Sequence, residues 1–158
     1  MMDRALCLRA AQECACLNLR KASRVVTQLY DEALSPLGVR STQLGILLTV
    51  KLMEPVAPSK LAGELMMDRS TLTRNLQPLV RAGLLELGPG VDRRSRQVTL
   101  TDAGRPLLSQ AMQRWNIAQQ QFVTQFGEER WRGVIGELTA VVEAGKVGSR
   151  KSEVGNGK

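Results

Sequence analysis

Apolar side chains recur every three or four residues over most of this chain, which is the spacing of amphipathic helices. The pattern predicts a first helix from about residue 3 to residue 34. Pro36 and Gly38 then favour a turn, because proline restricts the residue before it and glycine tolerates left-handed backbone. Ser41 or Thr42 is predicted to cap the second helix, whose apolar residues begin two to three positions later.

The centre of the chain is divided into short elements. Residues 59–66 predict a short helix, and Asp68 is a good N-cap for another helix that runs to residue 82. Gly83 suits the left-handed C-cap of that helix. Alternating apolar residues then predict two short strands, 84–87 and 97–100, on either side of a glycine-bearing basic hairpin tip.

Two long helices are predicted to follow, one capped by Thr101 and running to about residue 126, and one over about 128–144. The final segment, 146–158, has almost nothing to bury and is predicted to be a disordered basic tail. The fold class is therefore mainly α with a small β-hairpin. Short helix, tight turn, second helix and hairpin, in that order, form a winged helix-turn-helix within a chain of about six helices.

The composition narrows the function. The chain has 22 basic and 15 acidic residues, a net charge of +7, so polyanions are natural partners. It has no histidine, which removes Ser-His-Asp nucleophiles and histidine-containing zinc sites. Aromatic residues make up 3% of the chain, which argues against a base-stacking RNA platform. These counts exclude an ordinary hydrolase or zinc finger and leave a polyanion partner or a merely basic surface, and no cofactor is expected.

Polar and basic side chains lie where a winged helix-turn-helix meets duplex DNA. The start of the second central helix carries donors that can reach base edges and phosphates, and the hairpin arginines can enter a narrow minor groove. The acidic residue at the tip is expected to hold a neighbouring arginine through a charge-assisted hydrogen bond. The candidate DNA-binding residues are Ser59, Lys60, Arg69, Ser70, Thr71, Thr73, Arg74, Asp92, Arg93, Arg94 and Arg96.

Two segments, LAGELMMDRSTLTRNLQPLVRAGLLE and DRRSRQVTLTDAG, resemble the recognition helix and wing signature of the MarR-type regulators. The resemblance extends over roughly residues 10 to 145. It implies a homodimer whose dimerisation region comprises 1–36 and 102–145, with a DNA-binding lobe over 41–101. It also implies a repressor on a pseudo-palindromic operator, with half-sites about one helical turn apart. A small phenolic or other lipophilic ligand would release it, from a cleft lined by the first two helices and the start of the long one.

The run from Cys16 to Arg24 resembles the organic-hydroperoxide-sensing branch of that family, whose reactive cysteine lies seven residues before a Ser-Arg pair. Tyr30 falls where that branch keeps a tyrosine beside the sulfur. Arg20 and Ser41 stand where the branch has two further tyrosines, which is a departure from the pattern. Arg20 is four residues from Cys16 and could favour the reactive thiolate by its charge instead.

Other roles for the cysteines stay open. In one continuous helix Cys7 and Cys14 share a face, while Cys16 lies about 200° from Cys14, so a Cys14–Cys16 disulfide is not expected. Bridges across a dimer and a three-thiolate site for a soft metal are alternatives. A further alternative is that the three residues are small buried hydrophobes in an alanine-rich helix.

The sequence therefore predicts a sequence-specific, homodimeric, double-stranded-DNA-binding transcription regulator, a repressor and not an enzyme. Ligand binding or oxidation of Cys16, with Cys14, Arg20 and Tyr30 nearby, would release it. The alternatives are a thiol-peroxidase-like enzyme using Cys16 and an architectural protein that coats DNA without sequence choice. The apolar uncharged run 41–50 is half of the roughly 20 residues that span a bilayer, so a cytoplasmic protein without membrane contact is expected.

Overall fold

The computed structural model describes residues 3–90 and 95–154, with side chains through residue 146. Within these ranges it has seven α-helices, a short 3-10 turn at Ser35–Leu37 and one antiparallel hairpin. The predicted fold class is confirmed. The elements are α1 (Arg4–Glu13), α2 (Ala15–Leu34), α3 (Ser41–Met53), α4 (Pro58–Glu64), α5 (Arg69–Arg81), β1 (Leu85–Pro89), β2 (Arg96–Leu100), α6 (Gly104–Phe126) and α7 (Glu128–Val154).

The first predicted helix is two helices, which raises the count from about six to seven. The backbone leaves helical geometry at Cys14, where ψ is 113°. Such a break frees carbonyl oxygens at the end of the first helix. The side-chain amide of Asn18 donates to two of them, the carbonyl oxygens of Gln12 at 2.8 Å and Cys14 at 3.0 Å. Neither proline nor glycine marks this position, so the apolar spacing alone gave no sign of the break.

The cap of α3 differs from the prediction by one residue. Arg40 is the N-cap, and its backbone N–H donates to Oε1 of Gln43 at 2.9 Å. Ser41, which was predicted to cap with its own hydroxyl, is instead the first helical residue, and its N–H donates to Oδ1 of Asp31 at 2.6 Å. A carboxylate from α2 thus satisfies one of the free N–H groups at the start of the helix.

The chain forms two compact units, residues 1–118 and 119–158. In the first unit one hydrophobic core joins α2, α3, α4, α5, both strands and the first half of α6. Its largest fully buried side chains are Leu34, Ile46, Leu47, Val50, Val56, Leu61, Leu72, Leu79, Leu85 and Val98.

The hairpin is fixed at its base and along one edge. Its register runs from Leu85 opposite Leu100 to Pro89 opposite Arg96. Val56 also pairs with Val98, through N–H···O bonds of 3.2 and 2.8 Å in the two directions. Because this third segment is bonded to β2, the wing is attached to the helical lobe by backbone as well as by side chains.

The second unit contains an aromatic cluster. Phe122 stacks on Phe126 with ring centroids 5.7 Å apart, and Trp131 meets both rings edge-on at 5.1 and 6.2 Å. The guanidinium of Arg130 lies 4.6 Å from the centre of the Phe126 ring. Gly127, with φ of 101°, makes the sharp connection between α6 and α7.

Helix α7 extends past the predicted end at residue 144. Its backbone is helical to Val154, inside the 146–158 segment for which the sequence predicts disorder. Adding a turn to an existing helix is far less costly than starting a new one, so a polar sequence can continue it. Among the residues described, no helix has the length and apolar character needed to cross a bilayer.

Candidate DNA-binding surface

A tight turn joins α4 and α5 in the helix-turn-helix. Met66 has a φ of 52°, which is the left-handed conformation usually taken by glycine. This allows the N–H of Met67 to donate to the carbonyl of Ala62 at 2.9 Å, and that of Met66 to the carbonyl of Gly63 at 3.2 Å. The last carbonyls of α4 are thereby satisfied, and Asp68 is placed at the start of α5.

Asp68 organises the first turn of α5, as its predicted N-cap role requires. Its Oδ1 accepts from the N–H of Thr71 at 2.7 Å and from the hydroxyl of Ser70 at 2.6 Å. Its Oδ2 accepts from the hydroxyl of Thr71 at 2.8 Å. The Ser70 hydroxyl first, and then the N–H and hydroxyl of Thr71, hold the pKa of the Asp68 carboxyl well below its ordinary value. The carboxylate is therefore ionised at any pH at which DNA is bound.

The side chains predicted to contact DNA from α5 lie on its outer face, except Thr71, which is half-buried. Leu72, Leu76 and Leu79 are buried and face the core. Nη2 of Arg74 donates to Oγ1 of Thr71 at 3.2 Å, which joins an arginine to the Asp68 cluster. The exposed residues of this face are Arg69, Ser70, Thr73, Arg74 and Gln77. Gln77 was missed at the sequence level, although it follows Thr73 by the four residues that keep it on the same face.

Helix α4 contributes its N-terminal end to the same surface. Ser59 and Lys60 are both exposed there. Ser59 lines a shallow depression of about 250 Å³ together with Arg69 and Thr73 of α5. The structure thus brings Ser59 to the start of α5, as the DNA-binding prediction needs.

The wing arginines are described only in part. Arg96 is exposed, and its Nη1 donates to the carbonyl of Leu87 on the neighbouring strand at 3.3 Å. The hairpin is closed by the Gly90 N–H, which donates to the carbonyl of Ser95 at 2.8 Å. The three other predicted tip residues, Asp92, Arg93 and Arg94, lie outside the described residues.

Glu54 ties the base of the wing to two helices. Its carboxylate, only 13% exposed, accepts from the Leu100 N–H at 2.9 Å, from Arg105 at 2.7 Å and from Lys51 at 3.3 Å. Desolvation by itself raises the pKa of Glu54, but hydrogen bonds from Arg105, Leu100 and Lys51 lower it overall. The hydrogen bond to Glu54 in turn raises the pKa of Arg105. Sequence analysis missed this contact because Glu54 and Arg105 are far apart in the chain.

Thr101 closes the wing at its other corner, and its predicted capping role is confirmed. Its Oγ1 accepts from the N–H of Gly104 at 2.9 Å and donates to the carbonyl of Gly83 at 2.6 Å. Its N–H donates to the carbonyl of Leu84 at 3.2 Å. One residue therefore starts α6 and joins the entry of the hairpin to its exit.

The predicted sensing residues are not gathered in one place. Cys16 and Tyr30 are on the same helix, about 21 Å apart along its axis, so a single chain cannot bring them together. Cys16 and Arg20 are one turn apart on α2 and both exposed, whereas Cys14 is half-buried at the helix break. Cys7 is exposed as well, so within one chain these are not all buried hydrophobes. Over the described ranges no group of three potential metal ligands forms.

An apolar groove of about 410 Å³ lies on the lobe between α5 and β1. Its walls include Leu76, Val80 and Leu87, and Arg81 and Thr73 supply polar groups. This is a different place from the cleft expected beside the first two helices. It directly adjoins the outer face of α5, since Thr73 and Gln77 belong to both.

Comparison with known proteins places these features in a family. The chain is similar to the HTH-type transcriptional regulator PecS of Dickeya dadantii, with 29% identity over 115 residues, 70% of this chain and 69% of PecS. It is similar to M. tuberculosis MosR crystallised with DNA, with 37% identity, a TM-score of 0.73 and coverage of 84% of this chain and 98% of MosR.

The similarity extends to the apo crystal structure of E. coli MarR, with 26% identity, a TM-score of 0.65 and coverage of 78% of this chain and 93% of MarR. No protein-family model matches the chain. The relatives are transcription regulators and not enzymes, which sets aside the thiol-peroxidase alternative. With its helix-turn-helix, its wing and its identity to MosR over nearly the whole of that protein, this chain belongs to the MarR family of DNA-binding transcription regulators.

Proposed function

We propose that this protein is a homodimeric repressor that binds a pseudo-palindromic double-stranded operator with sequence specificity. The observation that carries the proposal is the outer face of α5, where exposed arginines and polar groups adjoin a first turn held rigid by Asp68. Preorganised side chains lose less conformational entropy on binding. MosR, which is 37% identical, was crystallised with DNA, and this supports the same partner here.

The division of the surface suits the two grooves of duplex DNA. An exposed helix face of the dimensions of α5 fits the major groove, where base edges carry a distinct pattern of donors and acceptors. Arg96 is exposed on the hairpin, and a narrow minor groove attracts such side chains. Arg69 and Arg74 would contact bases or phosphates in the major groove, and Ser59 and Lys60 the adjacent backbone.

The homodimer is supported by apolar side chains that a single chain leaves exposed at both ends. Large exposed apolar patches on soluble proteins mark interaction surfaces. In the first 36 residues these side chains are Leu6, Leu8, Leu17, Leu19 and Val25, and in α7 they are Ile135, Leu138, Val141 and Val142. A second copy of the chain would cover them, and a two-fold dimer would match a pseudo-palindrome.

Fluorescence anisotropy with DNA from immediately upstream of the gene, against random DNA at one salt concentration, tests the proposal. We expect tighter binding to the upstream DNA. Arg74→Ala should relax the preference among variants of that site, whereas Arg114→Ala, which removes an equal charge from the exposed side of α6, should leave it unchanged. Equal binding to random DNA would contradict sequence specificity and favour the architectural alternative.

Two routes of release are supported by separate observations. The apolar groove beside α5, with Arg81 at its wall, suits a small aromatic anion. Because the helix breaks at Cys14, Cys14 and Cys16 do not lie in one continuous helix. The geometric argument against a disulfide between them therefore no longer applies. The same anisotropy assay with 2-hydroxybenzoate, and then with an organic hydroperoxide followed by dithiol, distinguishes the routes. Cys16→Ser should abolish only the response to oxidant, and indifference to both additions would contradict both routes.

A further inference from the structure

Three hydroxyl groups in the first turn of α5 have their protons committed within the protein. The hydroxyls of Ser70 and Thr71 lie 2.6 and 2.8 Å from the carboxylate oxygens of Asp68. The hydroxyl of Thr73 lies 2.8 Å from the carbonyl oxygen of Arg69. Carboxylate and carbonyl oxygens can only accept, so the hydroxyl is the donor in each pair. A hydroxyl has one proton, and each of these groups therefore has only lone pairs left for another partner.

Ser70 is the best placed of the three to use those lone pairs. Thr71 is half-buried, and its oxygen already accepts from Arg74 at 3.2 Å. Thr73 is exposed but also lines the depression beside α4. Ser70 is exposed, and its 2.6 Å bond to an ionised carboxylate is of the short, charge-assisted kind. Its hydroxyl is accordingly the one most firmly held as an acceptor.

We propose that Ser70 is a specificity-determining residue that accepts a hydrogen bond from the exocyclic amino group of adenine or cytosine in the major groove. Adenine N6 and cytosine N4 carry the hydrogen-bond donors of that groove, while N7, O6 and O4 are acceptors. Phosphate oxygens are acceptors as well. Because the Ser70 hydroxyl donates its proton to Asp68, it would present only a lone pair to the DNA. A lone pair repels an acceptor atom, so an amino group is the complementary partner of Ser70. This assignment rests on the proposed binding of α5 to operator DNA.

The arginines complete the pattern, because Arg69 and Arg74 have only donors. They would read the acceptor atoms of guanine or contact phosphates, and Ser70 would read an amino group. Asp68 sets the polarity of Ser70 without touching DNA itself. Asp68→Ala removes the oxygen that accepts the Ser70 proton, so that proton would become free to point outward. The change also removes the N-cap, so it is expected to lower the stability of the protein by about 1 kcal/mol.

The test removes single atoms from the operator. Purine in place of adenine, and pyrimidin-2-one in place of cytosine, each lack the exocyclic amine, whereas 7-deazapurines lack only N7. We expect one position in each half-site at which loss of the amine weakens wild-type binding about 3- to 10-fold. Removal of the same amine should not weaken operator binding by the Ser70→Ala variant. Each 7-deaza substitution should weaken operator binding by wild type and variant to the same extent. Alanine is a good helix former, so Ser70→Ala is expected to fold.

Asp68→Ala is the second variant, with its thermal unfolding measured alongside. It should fold with a lowered melting temperature and lose the dependence on the amine. Two results would overturn the assignment. If the effect of Ser70→Ala depends on an N7 atom, Ser70 donates to a base acceptor. If every analogue position loses the same affinity, Ser70 contacts a phosphate. If the wild-type protein does not prefer the operator over random DNA, the proposed function fails and this assignment fails with it.

Discussion

Among the residues that the structure describes, Met66 is the one non-glycine residue with a positive φ, and it is 58% exposed. A left-handed conformation costs an L-residue roughly 1–2 kcal/mol, whereas glycine adopts it freely. The turn of the helix-turn-helix therefore carries strain at this position. No contact of the exposed side chain with the core has to be given up to relieve it.

We expect Met66→Gly to raise the free energy of unfolding by about 0.5 kcal/mol, because the relief exceeds the extra entropy of glycine in the unfolded chain. Leu52→Gly is the matched control, since Leu52 is 76% exposed within α3 at ordinary helical backbone. That change should lower stability by about 1 kcal/mol. Urea unfolding of the two variants measures both effects, and destabilisation by Met66→Gly would contradict the strain at residue 66.

Gly104 is required at the start of α6 for lack of space. A Cβ at this position would overlap the carbonyl oxygen of Leu84 and come within 3.1 Å of Leu100 Cδ2. We expect Gly104→Ala to lower stability by about 1–3 kcal/mol, because backbone must move to admit the methyl group. Gly45→Ala is the control, with open space around it inside α3, and it should be neutral or stabilising. Equal effects of the two changes in thermal unfolding would refute the close approach at residue 104.

At the scale of elements, one carboxylate joins the wing to two helices. Glu54 follows α3, accepts from the last residue of β2 and pairs with the first turn of α6. Three elements therefore share a single charge that is nearly removed from solvent. The lowered pKa of Glu54 means that folding favours the ionised form, so this contribution is fully present above the unfolded pKa and is lost as pH falls through the folded value.

We expect Glu54→Gln to lower the free energy of unfolding by about 1–2 kcal/mol at pH 7, with a difference from wild type that shrinks below about pH 4. The control is Glu128→Gln, whose partner Arg132 is 2.9 Å away in a pair exposed by about three quarters on each side. That change should cost less than about 0.5 kcal/mol. Denaturant unfolding between pH 3 and pH 7 measures both variants. A pH-independent difference for Glu54→Gln would show that its charge is not involved.

Helix caps and turns that depend on neighbouring residues were predicted correctly from the sequence, and contacts between distant residues were not. The Asp68 cap, the left-handed Gly83 and the Thr101 cap depend on residues close in the chain, and all three were predicted. The break at Cys14 has no local marker, because it is stabilised by a side chain four residues away that could equally lie on a helix surface. The Glu54–Arg105 pair joins residues whose proximity is decided only by packing.

The same division applies to the site. The polar start of α5 could be predicted because helical spacing puts Ser70 and Arg74 opposite the buried leucines, with Arg69 and Thr73 at the border of that face. The donor and acceptor roles could not, since they depend on which hydroxyl reaches Asp68. The pairing of Tyr30 with Cys16, implied by resemblance, fails within one chain because α2 is continuous between them.

At the scale of the whole molecule, the proposed homodimer would bury the exposed apolar row of α7. We expect Leu138→Glu to convert the protein to a 17.3 kDa monomer and to weaken operator binding by about 10²-fold or more, because two linked half-site contacts become one. Ala140→Glu is the control, about 200° around the same helix from Leu138. Analytical ultracentrifugation gives the mass. A dimer that survives Leu138→Glu would place the interface elsewhere.

Because the base of the wing is closed by hydrogen bonds, the tip can vary in sequence and length without changing the fold of the lobe. Thr101 joins entry to exit through Gly83 and Leu84, and Glu54 and Val56 anchor β2. The closure of the hairpin is thus completed before the tip begins, so added residues between Gly90 and Ser95 carry only the slowly growing entropy of a longer loop. Related regulators could exchange or lengthen this segment without refolding the lobe. Evolution could then change the sequence of the tip separately from the rest of the protein.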